Sequence, residues 1–308
     1  MLTKFPNGIT SFGVPVIGAG SDIPTTTGSY FFVDSTTGSN GNSGETPTTA
    51  LATIDSAVGK CTANKGDVIV VMPGHTETIT TAGGLDLDVA GITVVGLGTG
   101  TLMPKVKHDA AAADVDVDAA NITVRNIKFV ASFADVAISI DANADDLWLD
   151  GCVWEDEAAN LNFVDYIHVG ADNAADGLKV TGCRAIGSDA ANDGFINAAG
   201  DIDKLVFIGN YIKLNVATTE PVIEVTGKSL TNCLVTHNYI ERLNLSGIVF
   251  IDSDQTDNSG IIAYNVIKSA DADAATPFDV TGAGLFENYQ VGVNDASGLL
   301  LPAVDDNS

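Results

Sequence analysis

Leu205-Val206-Phe207-Ile208-Gly209-Asn210-Tyr211-Ile212 is followed downstream by Cys233-Leu234-Val235-Thr236-His237-Asn238-Tyr239-Ile240 and by Gly260-Ile261-Ile262-Ala263-Tyr264-Asn265-Val266-Ile267. The three share one frame: alternating apolar residues, a two-residue turn, an asparagine, then another apolar residue. Leu178-x-Val180-x-x-Cys183, Leu147-x-Leu149-x-x-Cys152-x-Trp154, Ile122-x-Val124-x-x-Ile127-x-Phe129 and Ile92-x-Val94-x-x-Leu97 carry the frame upstream. Its sixth position falls at 97, 127, 152, 183, 210, 238 and 265, in steps of 30, 25, 31, 27, 28 and 27 residues. Steps of this size in a strand- and turn-rich chain are the signature of a solenoid.

Each frame supplies a short strand, a turn, and an inward residue ahead of the next strand. A second strand precedes each frame: Val115-x-Val117, Ile138-x-Ile140, Ile167-x-Val169, Ile223-x-Val225, Val249-x-Ile251 and Phe278-x-Val280. Clusters such as Asn143-Ala144-Asp145-Asp146 separate them and are turn chemistry. The pattern predicts an all-β parallel β-helix with coils about 4.8 Å apart. Asn210, Asn238 and Asn265 then stack at one corner as a ladder of amides, with Cys152 and Cys183 at the same corner on earlier coils. Leu51, Ile54, Val58 and Cys61 have helical spacing and predict a short helix covering the first coil. Four regions are expected: an arm at 1–28; a strand, Gly-rich turn and capping helix at 29–66; the β-helix at 67–290; and a tail at 291–308. The patch Leu299-Leu300-Leu301-Pro302 in that tail is suited to folding back or to meeting a partner.

Composition removes several functions. The hydrophobic fraction of 45% is ample for a continuous core, and no run of eighteen apolar residues is present, so no membrane span is expected. The formal charge of −26 and the three arginines, Arg125, Arg184 and Arg242, argue against nucleic acid as a partner. Acidity spread along the chain reads as a solubility device. Cys61, Cys152, Cys183 and Cys233 have no C-x-x-C spacing and fall on inward positions, which predicts buried thiols rather than metal ligands. Cys152 and Cys183, one coil apart, leave a disulfide as the alternative.

Residues 1–28 contain Pro6, Pro15, Pro24 and five glycines, which break regular structure, yet they carry Phe5, Ile9, Phe12, Val14, Val16 and Ile17. A solvated linker is more polar than this. An arm that buries these six side chains on its own β-helix or on a partner fits better. No charged-then-apolar secretory leader is apparent at the start.

Catalytic groups are sought on the outward position of each strand that precedes a frame: Asp116, Ser139, His168, Asn197, Glu224, Phe250 and Asp279. His168 and Glu224 are the most suggestive, but two coils, about 9.6 Å, separate them. No carboxylate is expected next to Glu224 in this column, and no catalytic constellation emerges. Asp114, Asp116 and Asp118, or Asp86 with Asp88, are candidates for calcium, although alternating aspartates also protect exposed strands. No other metal or cofactor is implied. His75 and His237 read as turn residues, and Gly96-Leu97-Gly98-Thr99-Gly100 as a tight corner without the Lys-Ser/Thr of a phosphate loop.

Three stretches carry a resemblance. Phe32-Val33-Asp34-Ser35-Thr36-Thr37-Gly38-Ser39-Asn40-Gly41-Asn42-Ser43-Gly44, Ala52-Thr53-Ile54-Asp55-Ser56-Ala57-Val58 and Gly66-Asp67-Val68-Ile69-Val70-Val71-Met72-Pro73-Gly74 resemble the opening of right-handed parallel β-helix proteins of the pectin-lyase-like superfamily. The leader Asn7-Gly8-Ile9-Thr10-Ser11-Phe12-Gly13 is similar to the start of β-helix proteins among bacteriophage structural genes. The resemblance implies a virion structural protein. It would decorate the capsid, be assembled in the host cytoplasm, sit on the major capsid protein or other virion subunits, and form a homotrimer. The superfamily also contains enzymes, so two alternatives stand: a carbohydrate-active tailspike, lyase or hydrolase, and a non-catalytic glycan-binding adhesin.

Overall fold

The computed structural model describes residues 10–11, 14–15, 23–172, 174–187, 192–215, 220–225, 227–242, 247–253, 255–269, 275–292 and 298–300. Three sheets form the walls of a parallel β-helix. The first holds ten strands, from Tyr30–Val33 to Gly284–Phe286, and the second ten, from Thr76–Ile79 to Gly298–Leu300. The third holds eight, from Leu85–Asp86 to Ala275–Val280. The chain visits the sheets in that order and then repeats. Register follows the sequence frame: Val124, Leu149, Val180, Phe207, Val235, Ile262 and Leu285 pair in succession along the first sheet.

The corner between first and second sheets is made the same way on seven successive coils. A residue in the left-handed region comes first: Asn126, Gly151, Gly182, Gly209, His237, Tyr264 and Glu287 have φ between 45° and 67°. The frame's sixth residue then points inward. At Asn210, Asn238 and Asn265 the amide ladder is present, and Asn288 adds a fourth rung. Asn210 Oδ1 accepts the Cys183 N–H at 2.9 Å, and each later Oδ1 accepts both the backbone N–H and the Nδ2 of the rung before it, as at Asn238, where the distances to Asn210 are 2.9 and 3.0 Å. Each Nδ2 also donates to a carbonyl of the preceding coil, Asn210 to Val180 at 2.9 Å and Asn238 to Phe207 at 2.8 Å. Cys152 and Cys183 occupy the corner with Sγ 3.4 and 3.5 Å from the equivalent carbonyls of Val124 and Leu149, so the thiol replaces the amide as donor. All four cysteines are free. Cys61 is only half-buried, contrary to expectation, because it follows the helical turn instead of lying within the coil.

Inside, aliphatic rows surround a column of rings running through Phe129, Trp154, Phe195, Phe207, Phe250 and Phe278, with neighbouring centroids 5.2 to 6.2 Å apart. His108 begins the column, 6.3 Å from Phe129. Burial lowers its pKa to about 4, so its neutral ring donates from Nε2 to the Ser139 carbonyl at 3.0 Å. Trp154 is fully buried and satisfies its indole N–H on Ser139 Oγ at 3.1 Å.

The helix predicted over 51–61 is reduced to one turn, Ile54–Val58, with Thr53 Oγ1 accepting from the Ser56 N–H at 3.2 Å. Gly59 ends it, and the chain reaches the next strand, Val68–Val71, without further helix. The tail strand Gly298–Leu300 turns back antiparallel onto Asn288–Gly292. In the arm, Thr10–Ser11 pairs antiparallel with Val14–Pro15. Phe5, Ile9, Phe12, Val16, Ile17 and the side chain of Val14 lie outside the described residues. Among the described residues no helix is long and apolar enough to cross a membrane.

Candidate functional site

The outward face of the third sheet gathers the titratable groups. Its strands interrupt the simple alternation of a pleat: Ser139-Ile140, Tyr166-Ile167, Phe195-Ile196, Val222-Ile223 and Phe250-Ile251 are consecutive buried pairs. At Phe195-Ile196 both backbone N–H groups reach the Val222 carbonyl at 2.9 Å, as at a bulge. This irregularity corrects two expected positions. Ser139 and Phe250 point inward, and Asp141 and Asp252 take their places in the outward row. The row therefore reads Asp86, Asp116, Asp141, His168, Asn197, Glu224, Asp252 and Asp279, each paired with the next. Glu224 does have a carboxylate beside it, namely Asp252. The structure keeps His168 and Glu224 two coils apart, with Asn197 between them.

Two pairs within the face have defined chemistry. His168 Nδ1 lies 3.0 Å from Asp141 Oδ1. That hydrogen bond raises the His168 pKa, and it holds the Asp141 carboxyl below its ordinary value although burial works the other way. Glu220 shares a hydrogen bond with Glu224; this bond, burial and the Glu224 charge push Glu220 up to about 7. A carboxyl that keeps its proton to near neutrality, as Glu220 does, is suited to general acid–base work. Burial pushes Asp165 up to about 6, against the hydrogen bond it accepts from Asn197 Nδ2 at 3.1 Å. Burial and the Asp118 charge do the same for Asp116, also to about 6. Arg242 sits beneath, buried, its pKa lowered to about 10 by desolvation against the pull of Glu220 and Glu224.

Asp114, Asp116 and Asp118 alternate outward as expected, but among the described residues no three His, Cys, Asp or Glu side chains converge to hold a metal ion. His75 is buried, where its Nδ1 accepts the Ser35 N–H at 3.0 Å and its Nε2 lies 3.3 Å from Glu77. His237 is a left-handed corner residue whose ring lies tilted against Tyr264, with centroids 5.2 Å apart.

No protein-family model matches the chain, and no curated protein matches it. Solved structures do. The pectin methylesterase of Aspergillus niger in deglycosylated form superposes with a TM-score of 0.54 at 16% identity, covering 89% of this chain and 88% of that one. A rhamnogalacturonan lyase superposes with a TM-score of 0.50 at 14% identity, covering 89% and 78%. ORF18 of Geobacillus virus E2 gives 0.39 at 12% identity over 80% and 59%, a likeness too loose to build on. The chain is a parallel β-helix. Its fold is that of the pectin-lyase-like right-handed solenoids.

Proposed function

We propose that the chain is a bacteriophage virion structural protein, a capsid decoration or head-associated subunit. It docks through residues 1–28 on the major capsid protein or another virion subunit, stands exposed on the particle as a homotrimer, and is assembled in the host cytoplasm. The observation that supports this most is the contrast between the solenoid and its leader. The coils close their own core with Val33, Leu51, Ile54 and Ile69 at the N-terminal end. Phe5, Ile9, Phe12, Val14, Val16 and Ile17 give the leader more apolar area than a solvated linker carries, and in this reading they meet another surface. Leu234, Ile261, Tyr264 and Phe286 add exposed apolar area on the last coils, at 38 to 55% exposure, more than an isolated acidic rod needs. Deleting residues 1–28 is expected to leave the folded β-helix intact and to abolish its incorporation into particles. Incorporation at the full-length level would overturn the proposal.

A second reading, polysaccharide cleavage on the third sheet, is favoured by the His168–Asp141 and Glu220–Glu224 pairs. It predicts shortening of a host or marine polysaccharide, reduced by His168→Ala and by Glu224→Gln. Glycan-array binding without shortening identifies the adhesin instead.

A further inference from the structure

The three outward faces differ in charge. The second sheet turns outward Lys105, Lys107, Lys128, Arg184, Lys213 and Lys268, six of the chain's 14 basic residues, while Val106, Phe129, Ala185, Ile212 and Ile267 between them are buried. Glu155, Glu157 and Glu241 answer some of that charge, in ion pairs with Lys128 at 2.8 Å, Lys107 at 2.7 Å, Lys213 at 3.3 Å and Lys268 at 2.8 Å. A net basic face remains on a chain of charge −26. The third sheet presents the acidic row described above.

The two faces match coil by coil. Along each turn of the chain Lys105 and Lys107 precede Asp116, Lys128 precedes Asp141, Lys213 precedes Glu224, and Lys268 precedes Asp279. Where the second sheet becomes acidic, at Glu155, the third-sheet residue of the same coil is His168. Arg184 accompanies the neutral Asn197. The one clash is Glu241 with Asp252, and both Lys213 and Lys268 already pair with Glu241. These partners project from different walls of one coil, and the ion pairs given above join the lysines to glutamates instead.

We infer that the second-sheet face of one copy docks on the third-sheet face of a second copy of this chain, with axes parallel and equal coils level. The register follows from the charges. Sliding one copy by a coil one way sets Lys128 against His168 and Glu241 against Asp279. Sliding it the other way sets Glu155 against Asp141, Arg184 against His168 and Glu241 against Glu224. Antiparallel axes set Glu155 against Glu224, Lys213 against His168 and Glu241 against Asp141. Within the central row of the third sheet the level, parallel arrangement has only the Glu241 clash, and a rotation about an axis parallel to the solenoid produces it. Each copy offers one face of each kind, so the contact is head-to-tail and closes into a ring.

Tyrosines in the same second-sheet face favour a protein occupant. Tyr211 and Tyr239 stack at 5.1 Å and 3°, and the Arg184 guanidinium covers Tyr211 at 5.8 Å. Ring faces are thus consumed within the row, which leaves edges and hydroxyls for a neighbour instead of flat platforms for a sugar. Aromatic residues and arginine are the side chains enriched at protein interfaces. The inference deepens the multi-copy reading above and rests on it only for there being more than one copy; particle docking is a separate contact.

Sedimentation velocity of the full chain tests it. The wild type is expected to associate at about 0.1 M salt and to weaken at least about tenfold at about 1 M, where the Debye length is about 3 Å. The triple variant Lys105→Glu, Lys107→Glu, Lys128→Glu and the double variant Asp116→Lys, Asp141→Lys are each expected to sediment as monomers with wild-type circular dichroism. An equimolar mixture of the two restores association between unlike variants, because each altered face meets its complement, although a closed ring of three must still contain one mismatched contact. A monomeric wild type at low salt, salt-independent association, or variants that associate alone as well as the wild type would each overturn the inference. So would dissociation by Ile261→Asp with Phe286→Asp while the charge reversals change nothing, since that places the contact on the first sheet. If reversal unfolds either variant, the salt series on the wild type decides. Loss of particle incorporation on deleting residues 1–28, with solution association intact, separates the two contacts.

Discussion

Replacing Asn238 by leucine removes a rung from the middle of the amide ladder while nearly preserving volume. The side chain takes part in four hydrogen bonds: it accepts from the Asn210 N–H and Nδ2, and donates to the Phe207 carbonyl and Asn265 Oδ1. It is 2% exposed, so water does not replace them. Leucine orphans both Asn210 donors and leaves the Phe207 carbonyl a partner short. At about 1–3 kcal/mol for each of these three groups, less about 2 kcal/mol for the buried leucine, the net loss is about 1–7 kcal/mol. Asn238→Cys should cost about half as much, because the thiols of Cys152 and Cys183 already donate to the equivalent carbonyls. Urea denaturation followed by fluorescence and by circular dichroism measures both. The leucine variant should lower the midpoint with an unchanged slope, and the cysteine variant should fall between it and the wild type. A leucine variant within about 0.5 kcal/mol of the wild type would show that the ladder is ornamental and refute the reasoning.

Three further outcomes are expected. Phe207→Ala empties one position of the ring column between Phe195 and Phe250 and should cost about 3–5 kcal/mol by the same denaturation assay. Gly209→Ala should cost about 1 kcal/mol, since φ is 67° and an added Cβ meets nothing within 4 Å, whereas Gly209→Asn should cost less, because Asn126 already adopts this corner conformation. Asp116 and Asp165 at about 6 and Glu220 at about 7 bind protons more tightly folded than unfolded, so their contribution to stability grows as pH falls through 7 towards the ordinary carboxylate range. The His168–Asp141 pair opposes any optimum outside that window: the raised His168 pKa contributes below the ordinary histidine range and is lost as pH rises through its folded value, and the lowered Asp141 pKa contributes above the ordinary aspartate value and is lost in acid. Melting temperature should therefore be higher near pH 5 than near pH 8, and Asp165→Asn should flatten the difference; an unchanged profile would count against the assignment.

Much of the fold is legible in the sequence because coil-to-coil repetition forces equivalent residues into one environment. The frame fixes register at Val124, Leu149 and Val180, and it placed three ladder rungs correctly. Asn288 escaped because its coil breaks the spacing: the frame's first position is the small Ala283, and the rung follows Asn265 by 23 residues. The site was harder to read. Strict alternation puts Ser139 and Phe250 outside, whereas the bulged third-sheet strands bury two residues in succession, and only the pairing register reveals Asp141 and Asp252. Glu220 lies outside any strand and has no periodic signal. The left-handed corner at Tyr264 was equally hidden, since a bulky aromatic residue does not advertise that conformation.

The most direct measurement is the composition of purified, genome-filled particles from cells that express this chain. Quantitative mass spectrometry is expected to find it at a fixed ratio to the major capsid protein, retained through density-gradient banding and lost when residues 1–28 are deleted. Particles that band without it, together with a polysaccharide cut by the free protein but not by His168→Ala, would contradict a structural role.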